Sequence, residues 1–259
     1  MLVFNLTMIL VRINMNYIPA ENRTYKIFVD FDGTISRQDI GENMFLRFGD
    51  PAEANRIIER WIKNEISSTE SWKLLCATVK NFDVTEFELF LDEIEIDEGF
   101  VEFEKFCVKN KINIYILSDG LDYYITRFLS KFGLNHLTVY SNQLNFGEKN
   151  KLIPSFPYSD EECTKCANCK RNHIISNSSD EDFTIYIGDG YSDTCPAQYV
   201  DFIFAKNSLL KYCEKERISY YPFGNFKEVR FRIEEMLKKR RLRKRHQAQL
   251  KRREVYLQG

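Results

Sequence analysis

No apolar run in these 259 residues is long enough to cross a bilayer. The first eleven residues are mostly apolar, but no basic segment precedes them and Arg12 follows directly, so neither an anchor nor a secretory leader is expected. Met15-Asn16-Tyr17 leads through a short polar stretch toward the first strand, and Met15 is the expected start, with residues 1–14 extraneous. A disulfide framework is missing too: the seven cysteines are odd in number, and Cys76, Cys107, Cys195 and Cys213 stand singly in periodic or motif-bearing segments. A reducing, cytoplasmic setting follows as the expectation. There is no internal repeat, and almost no net charge. That near-neutrality conceals an asymmetry, because residues 238–259 hold ten Lys/Arg and one acid, a net +9, which leaves 27 basic against 37 acidic residues, a net −10, in the rest.

What is present is a sizeable apolar fraction, 44% hydrophobic with 14% aromatic, enough for one α/β domain with an insertion. Apolar, β-branched or aromatic runs at Tyr25 to Val29, Ile112 to Leu117 and Phe183 to Ile187 read as buried strands, with further strands expected at Leu137–Tyr140 and Asp201–Phe204. Helical patterns separate them, at about Gly99 to Asn110, Tyr123–Phe132 and Ser192–Tyr199. This alternation predicts a Rossmann-like parallel sheet covered on both faces. Between the first two strands, apolar residues recur at helical spacing through Ile57, Trp61, Trp72, Leu75, Phe87 and Leu91, with Pro51 starting one helix and Ser67 to Glu70 capping another. The expected organisation is an N-terminal extension (1–23), a core (24–41 and 97–237), a small all-helical cap (42–96) and a basic tail (238–259). The stretch around Pro154 and Pro157 reads as irregular. The tail is expected to be a solvated appendage; binding of nucleic acid to it is the competing reading.

Three strands run into chemistry-bearing loops: Asp30-Phe31-Asp32-Gly33-Thr34, Ser118-Asp119-Gly120 and Gly188-Asp189-Gly190-Tyr191-Ser192-Asp193. Carboxylates, a hydroxyl and glycines at one edge of a parallel sheet suit a site that holds a metal ion and a phosphate together. Asp30 and Asp32, two apart on an extended run, project to the same side. That spacing fits a mechanism in which one Asp attacks phosphorus while the other protonates the leaving oxygen and then activates water. Gly33 frees the backbone to approach the phosphate and Thr34 helps to anchor it. Ser118, Asp119 and Gly120 offer a hydroxyl and backbone N–H groups to phosphate oxygens, and Asp189 and Asp193 suit Mg²⁺, with Asp193 alternatively orienting water or a lysine.

These segments resemble motifs I, II and IV of the haloacid dehalogenase superfamily of phosphatases, over about residues 24–236, and the helical insert resembles the cap of its phosphoserine-phosphatase-like branch. Ser118-Asp119-Gly120-Leu121-Asp122-Tyr123-Tyr124, Cys169-Lys170, Phe204-Ala205-Lys206 and Tyr220-Tyr221-Pro222-Phe223 are similar to methionine-salvage phosphatases acting on 2-hydroxy-3-keto-5-methylthiopentenyl-1-phosphate. Gly188-Asp189-Gly190 with Asp193-Thr194-Cys195-Pro196 also resembles phosphoethanolamine and phosphocholine phosphatases. The resemblance implies Asp30 as nucleophile, Asp32 as acid and base, and Ser118 as phosphate ligand. It implies Mg²⁺ on Asp30, the Asp32 carbonyl and Asp189. It gives Lys170 the charge-neutralising role, with Lys165 and Arg171 as neighbouring alternatives. The implied activity is Mg²⁺-dependent hydrolysis of a small phosphorylated metabolite through an aspartyl-phosphate. A phosphotransferase or phosphomutase on the same fold, and a nucleic-acid-binding protein with a vestigial site, are the alternatives. Cys163, Cys166 and Cys169 form a CxxCxxC whose thiols suit structural zinc if His173 or Cys195 supplies a fourth ligand.

Overall fold

The computed structural model describes residues 23–161, 163 and 165–258; the expected start at Met15 lies outside the described residues. Seven strands form one sheet: β1 (Tyr25–Val29), β2 (Asn113–Leu121), β3 (Thr138–Phe146), β4 (Leu152–Ser155), β5 (Phe183–Gly188), β6 (Phe202–Ala205) and β7 (Tyr221–Pro222). Their order is β4-β3-β2-β1-β5-β6-β7. All neighbours are parallel except β3 and β4, which pair antiparallel. β1 lies between β2 and β5, so the three motif-bearing strands are contiguous and end at one edge. The β1 sequence explains its central place: Ile27 and Val29 join the apolar core on one face and Phe28 the core on the other, as a strand covered on both sides requires.

Between β1 and β2 the chain forms five helices, α1 (Ile40–Phe48), α2 (Pro51–Ile62), α3 (Ser68–Thr78), α4 (Val84–Glu93) and α5 (Phe100–Lys109). Their starts follow local chemistry. Asp39 accepts the Glu42 N–H, Asp50 accepts those of Ala52 and Glu53 with Pro51 in the first turn, and Ser67 accepts that of Glu70. Phe48, Phe82, Phe87 and Phe90 pack ring against ring, and Phe82 reaches Phe146 of β3 at 5.8 Å between centroids, which fastens the helices to the sheet. After β2 follow α6 (Asp122–Lys131), α7 (Lys170–Asn177), α8 (Asn207–Lys215), α9 (Phe226–Lys238) and α10 (His246–Gln258). No helix among the described residues is long and apolar enough to cross a membrane.

Three local expectations are corrected. The stretch around Pro154 is the short edge strand β4, a position where a missing N–H is tolerated. Residues 192–199 form two 3₁₀ turns, Tyr191–Asp193 and Pro196–Tyr199, because Pro196 has no N–H with which to continue a helix.

The third concerns the basic tail, which is not a solvated appendage. Its helix α10 lies against the Pro196–Tyr199 turn, with Ala248 fully buried. Arg252 is equally buried, donating to the Tyr199 carbonyl at 2.6 Å and lying 3.4 Å from the Asp201 carboxylate. Arg245 donates to the Ala197 carbonyl, and Arg23 clamps the preceding loop by donating to the carbonyls of Lys239 and Arg240. Removing one member of a buried charge pair strands the other, at a cost of about 3–5 kcal/mol. Arg252→Ala should therefore lower the melting temperature by roughly 6–20 °C, at about 2–4 °C per kcal/mol for a chain of this size. A calorimetric scan within a degree of wild type would show that the pair contributes nothing.

Candidate active site

Asp30 follows β1 directly, its N–H bonded to the Ile187 carbonyl of β5, and its carboxylate is buried. Lys170, the first residue of α7, reaches it: Nζ lies 2.6 Å from Asp30 Oδ1, 2.7 Å from Asp193 Oδ1 and 3.1 Å from Ser192 Oγ. A lysine in the first turn opposes the helix dipole, so this placement is dictated by the site and not by the helix. Burial works against the Lys170 charge, yet Asp193 and Asp30 outweigh it and push its pKa up. Asp30 is held well above the usual carboxylate range, by burial first and then by Asp193, with Lys170 opposing.

Asp30, Asp189 and Asp193 each offer an oxygen within 4.8 Å of the others. Three carboxylates against the single ammonium of Lys170 leave an excess of negative charge in a desolvated place, and hard oxygen donors of this kind suit a divalent cation such as magnesium. Asp189 is oriented by Thr34 Oγ1 and Asn207 Nδ2, each 3.1 Å away, and its pKa is raised by burial and then by Asp193. Gly33 allows the close approach: its φ is +71°, and a Cβ there would lie 2.8 Å from Asp189 Oδ2. Asp193 is fully occupied by protein donors, accepting at Oδ2 from the N–H groups of Asp189 and Gly190 and at Oδ1 from Lys170 and the Tyr186 hydroxyl.

Asp32 stands apart from this cluster. Its Oδ1 accepts from the N–H groups of Ile40 and Gly41, the start of α1, at 2.9 and 3.4 Å, and its Oδ2 accepts from the Tyr124 hydroxyl at 2.8 Å. Burial raises its pKa to about 6, against the lowering effect of Tyr124 and the two backbone donors. A carboxyl poised there can give or take a proton near neutrality.

Asp30 and Asp32 open into one cavity of about 290 Å³, which Gly33, Ser118, Asp119, Gly120 and Asp189 also line. Thr34, Lys170 and Asp193 are not in its wall; they lie behind the residues they hold. Ser118 Oγ accepts the Gly120 N–H at 2.9 Å within the last residues of β2, where the register with β3 shifts between Leu117 and Leu121. The helices α1, α2 and α3 contribute Phe45, Ile58, Trp61, Ile62, Trp72 and Leu75 to the opposite wall, along with Glu42, Ser68 and Ser71, and no lining residue is Lys or Arg. Asp119 joins the two sides, accepting from the Ser68 hydroxyl of α3 and from the Asn168 N–H.

Several residues of the site carried no signal in the sequence. Asn168 fastens the cysteine-rich loop to the sheet, donating from Nδ2 to the carbonyls of Ser118 and Tyr140 at 2.7 and 2.9 Å, and thereby sets the start of α7 and Lys170. Since that amide nitrogen is spent on two carbonyls, Asn168 Oδ1 is the acceptor for His173 Nε2 at 2.7 Å. His173 also stacks on Tyr140 and is held neutral by burial, its pKa pushed down to about 4. Its Nε2 is thereby spent on Asn168 and supplies no zinc ligand. Nor do the cysteines assemble a zinc site, because among the described residues only the aspartate cluster brings three ligating atoms within 4.8 Å. The zinc expectation is thus not supported.

Residues 25–213 match the family model described as Putative Phosphatase. Among curated proteins, the chain is 30% identical over 215 residues to a 2-hydroxy-3-keto-5-methylthiopentenyl-1-phosphate phosphatase of Bacillus cereus, covering 82% of this chain and 97% of the relative. It is 32% identical, with the same coverage, to the protein of that name from Bacillus mycoides. Among solved structures, a substrate-bound phosphoserine phosphatase superposes with a TM-score of 0.62 at 19% identity, over 80% of this chain and 97% of that one.

Proposed function

This chain belongs to the Putative Phosphatase family and is a phosphatase of the haloacid dehalogenase type, and from that premise we propose that it hydrolyses a small phosphomonoester with an apolar leaving group through a phosphorylated Asp30. The observation that carries this reading is the pair of carboxylates at the end of β1: one is tied to a buried ammonium, the other is held apart by α1, and both face the same cavity. The Asp30 carboxylate attacks phosphorus as the bond to the leaving oxygen breaks, and Asp32 gives its proton to that oxygen. Water then attacks the phosphorus of the aspartyl-phosphate, its proton passes to Asp32, and the Asp30 carboxylate is released with inorganic phosphate. Lys170 offsets negative charge on Asp30 and the phosphoryl group throughout. The Ser118 hydroxyl and the backbone N–H of Asp119 bind phosphate oxygens.

Magnesium would be held by Asp30, Asp189 and the Asp32 carbonyl, and would neutralise charge on the phosphoryl oxygens. Asp193, with its oxygens already engaged, keeps Lys170 and the Asp189 loop in place and is better read as a positioning group than as a ligand.

The helices α1 to α4 act as a cap over the leaving group. Their wall, mainly aromatic and aliphatic but including Glu42, Ser68 and Ser71, carries no cation and so disfavours a substrate with a second phosphate or a carboxylate. The thiopentenyl phosphate named for the Bacillus relatives is accordingly the first compound to try. Purified protein should release phosphate from it and from p-nitrophenyl phosphate when Mg²⁺ is present, and chelation with EDTA should abolish the release until Mg²⁺ is restored. Phosphate release that survives EDTA would defeat the metal assignment; none from any phosphomonoester would defeat the reading as a whole.

A further inference from the structure

We propose that Tyr124 is the positioning residue for the proton transfer, acting through Asp32 to aim its Oδ2 at the leaving oxygen. The proposal rests on the acid/base reading of Asp32 given above. Tyr124, the third residue of α6, is fully buried and does not line the cavity, so it has no direct contact with substrate. Its hydroxyl donates to Asp32 Oδ2 at 2.8 Å. The other oxygen, Oδ1, is already held by the two N–H groups at the start of α1. A carboxyl gripped at Oδ1 alone still turns about its last torsion, which is broad and soft. With Oδ1 held from α1 and Oδ2 from α6, that torsion is fixed.

The arrangement serves both protonation states. An ionised Oδ2 accepts from Tyr124, and a protonated one still accepts there while its own O–H points into the cavity. Oδ2 is thus the oxygen that gives the proton to the leaving group in the first step and receives one from water in the second.

A buried ring at position 124 would pack equally well without its oxygen. The backbone around it shows that the oxygen is provided for. A Cβ on Gly120 would lie 1.9 Å from the Tyr124 hydroxyl and 2.7 Å from Asp32 Oδ2, and one on Gly41 would lie 3.1 Å from the same hydroxyl. Two positions without a side chain, one on each side of the hydrogen bond, make the room it needs. Gly41 is also one of the two backbone donors to Oδ1, so supports of both carboxyl oxygens meet at this point; the Ser118 hydroxyl, 3.5 Å from Oδ2, is a longer second contact there.

The test compares kcat/KM for phenyl phosphate and p-nitrophenyl phosphate, both with Mg²⁺, in wild type, Tyr124→Phe, Asp32→Asn and the double variant. Nitrophenolate departs without a proton, whereas the more basic phenolate needs one. Tyr124→Phe should raise the ratio of nitrophenyl to phenyl activity at least about tenfold, as Asp32→Asn does to a larger extent. The double variant should be no worse than Asp32→Asn alone, because the tyrosine has nothing left to aim. Equal losses on both substrates, no loss on either, an additive double variant, or a Tyr124→Phe chain that fails to fold would each overturn the proposal. If Asp32→Asn itself leaves the ratio unchanged, the acid/base reading falls, and the proposal with it. If Asp32→Asn shifts the ratio and Tyr124→Phe does not, only the proposal falls.

Discussion

Lys170→Met is expected to cost at least about a hundredfold in kcat/KM and to destabilise the fold as well, two effects with one origin. The ammonium lies 2.6 Å from Asp30 and 2.7 Å from Asp193 in a place closed to solvent. Methionine fills the volume of the stem but leaves both carboxylates without their partner, and stranding buried charges costs about 3–5 kcal/mol. The phosphoryl group would then bring further negative charge to a site that has lost its buried ammonium. Lys170→Arg is expected to recover little of this, since a planar fork does not fit where three oxygens converge on a single nitrogen. Activity on p-nitrophenyl phosphate and a thermal scan are the two measurements. A stable Lys170→Met enzyme within about tenfold of wild type would move the charge-neutralising role to another basic residue.

How much of this site the sequence disclosed depends on how locally each part is determined. Asp30, Asp32, Ser118 and Asp189 were legible because each ends a buried strand, and neighbouring parallel strands must open at the same edge. The helices between β1 and β2 were legible because Pro51 and Ser67 mark helix starts within a single turn. Lys170 was reached through a resemblance, and its own context argues against it, since it begins a helix and is buried. Tyr124 stood only inside a stretch that resembles a family, with no role attached, and Asn168 carried no pattern at all. Their roles come from contacts 92 and 50 residues away along the chain.

The tail misled for a related reason. Its ten basic residues are distributed so that charge appears in every direction, and nothing in that pattern marks Arg252 as the one that finds Asp201 inside. β4 was missed because its proline, read alone, argues against a strand, and only its edge position makes it harmless.

Asp30→Asn should reduce turnover by at least about a thousandfold, a barrier increase of about 4 kcal/mol, while leaving the fold intact. The change is isosteric, and the asparagine Oδ1 still accepts from Lys170, so the packing at the end of β1 is kept. What disappears is the negative charge that attacks phosphorus and helps to hold the metal. The same charge is a burden to the resting fold, because the carboxylate is desolvated and is repelled by Asp193 and Asp189, with only Lys170 to offset them. The melting temperature should therefore hold or rise as activity collapses, the opposite of Lys170→Met and the usual relation between a strained active site and stability. The mechanism makes a second demand. In wild type under turnover, rapid acid quench followed by mass spectrometry of the peptide containing Asp30 should find phosphate on that residue. Undiminished activity in Asp30→Asn, or phosphate trapped on Ser118 or on a cysteine, would remove Asp30 as nucleophile. Activity and thermal stability falling together would instead mean that its carboxylate holds the fold, and the loss of rate would then say nothing about chemistry.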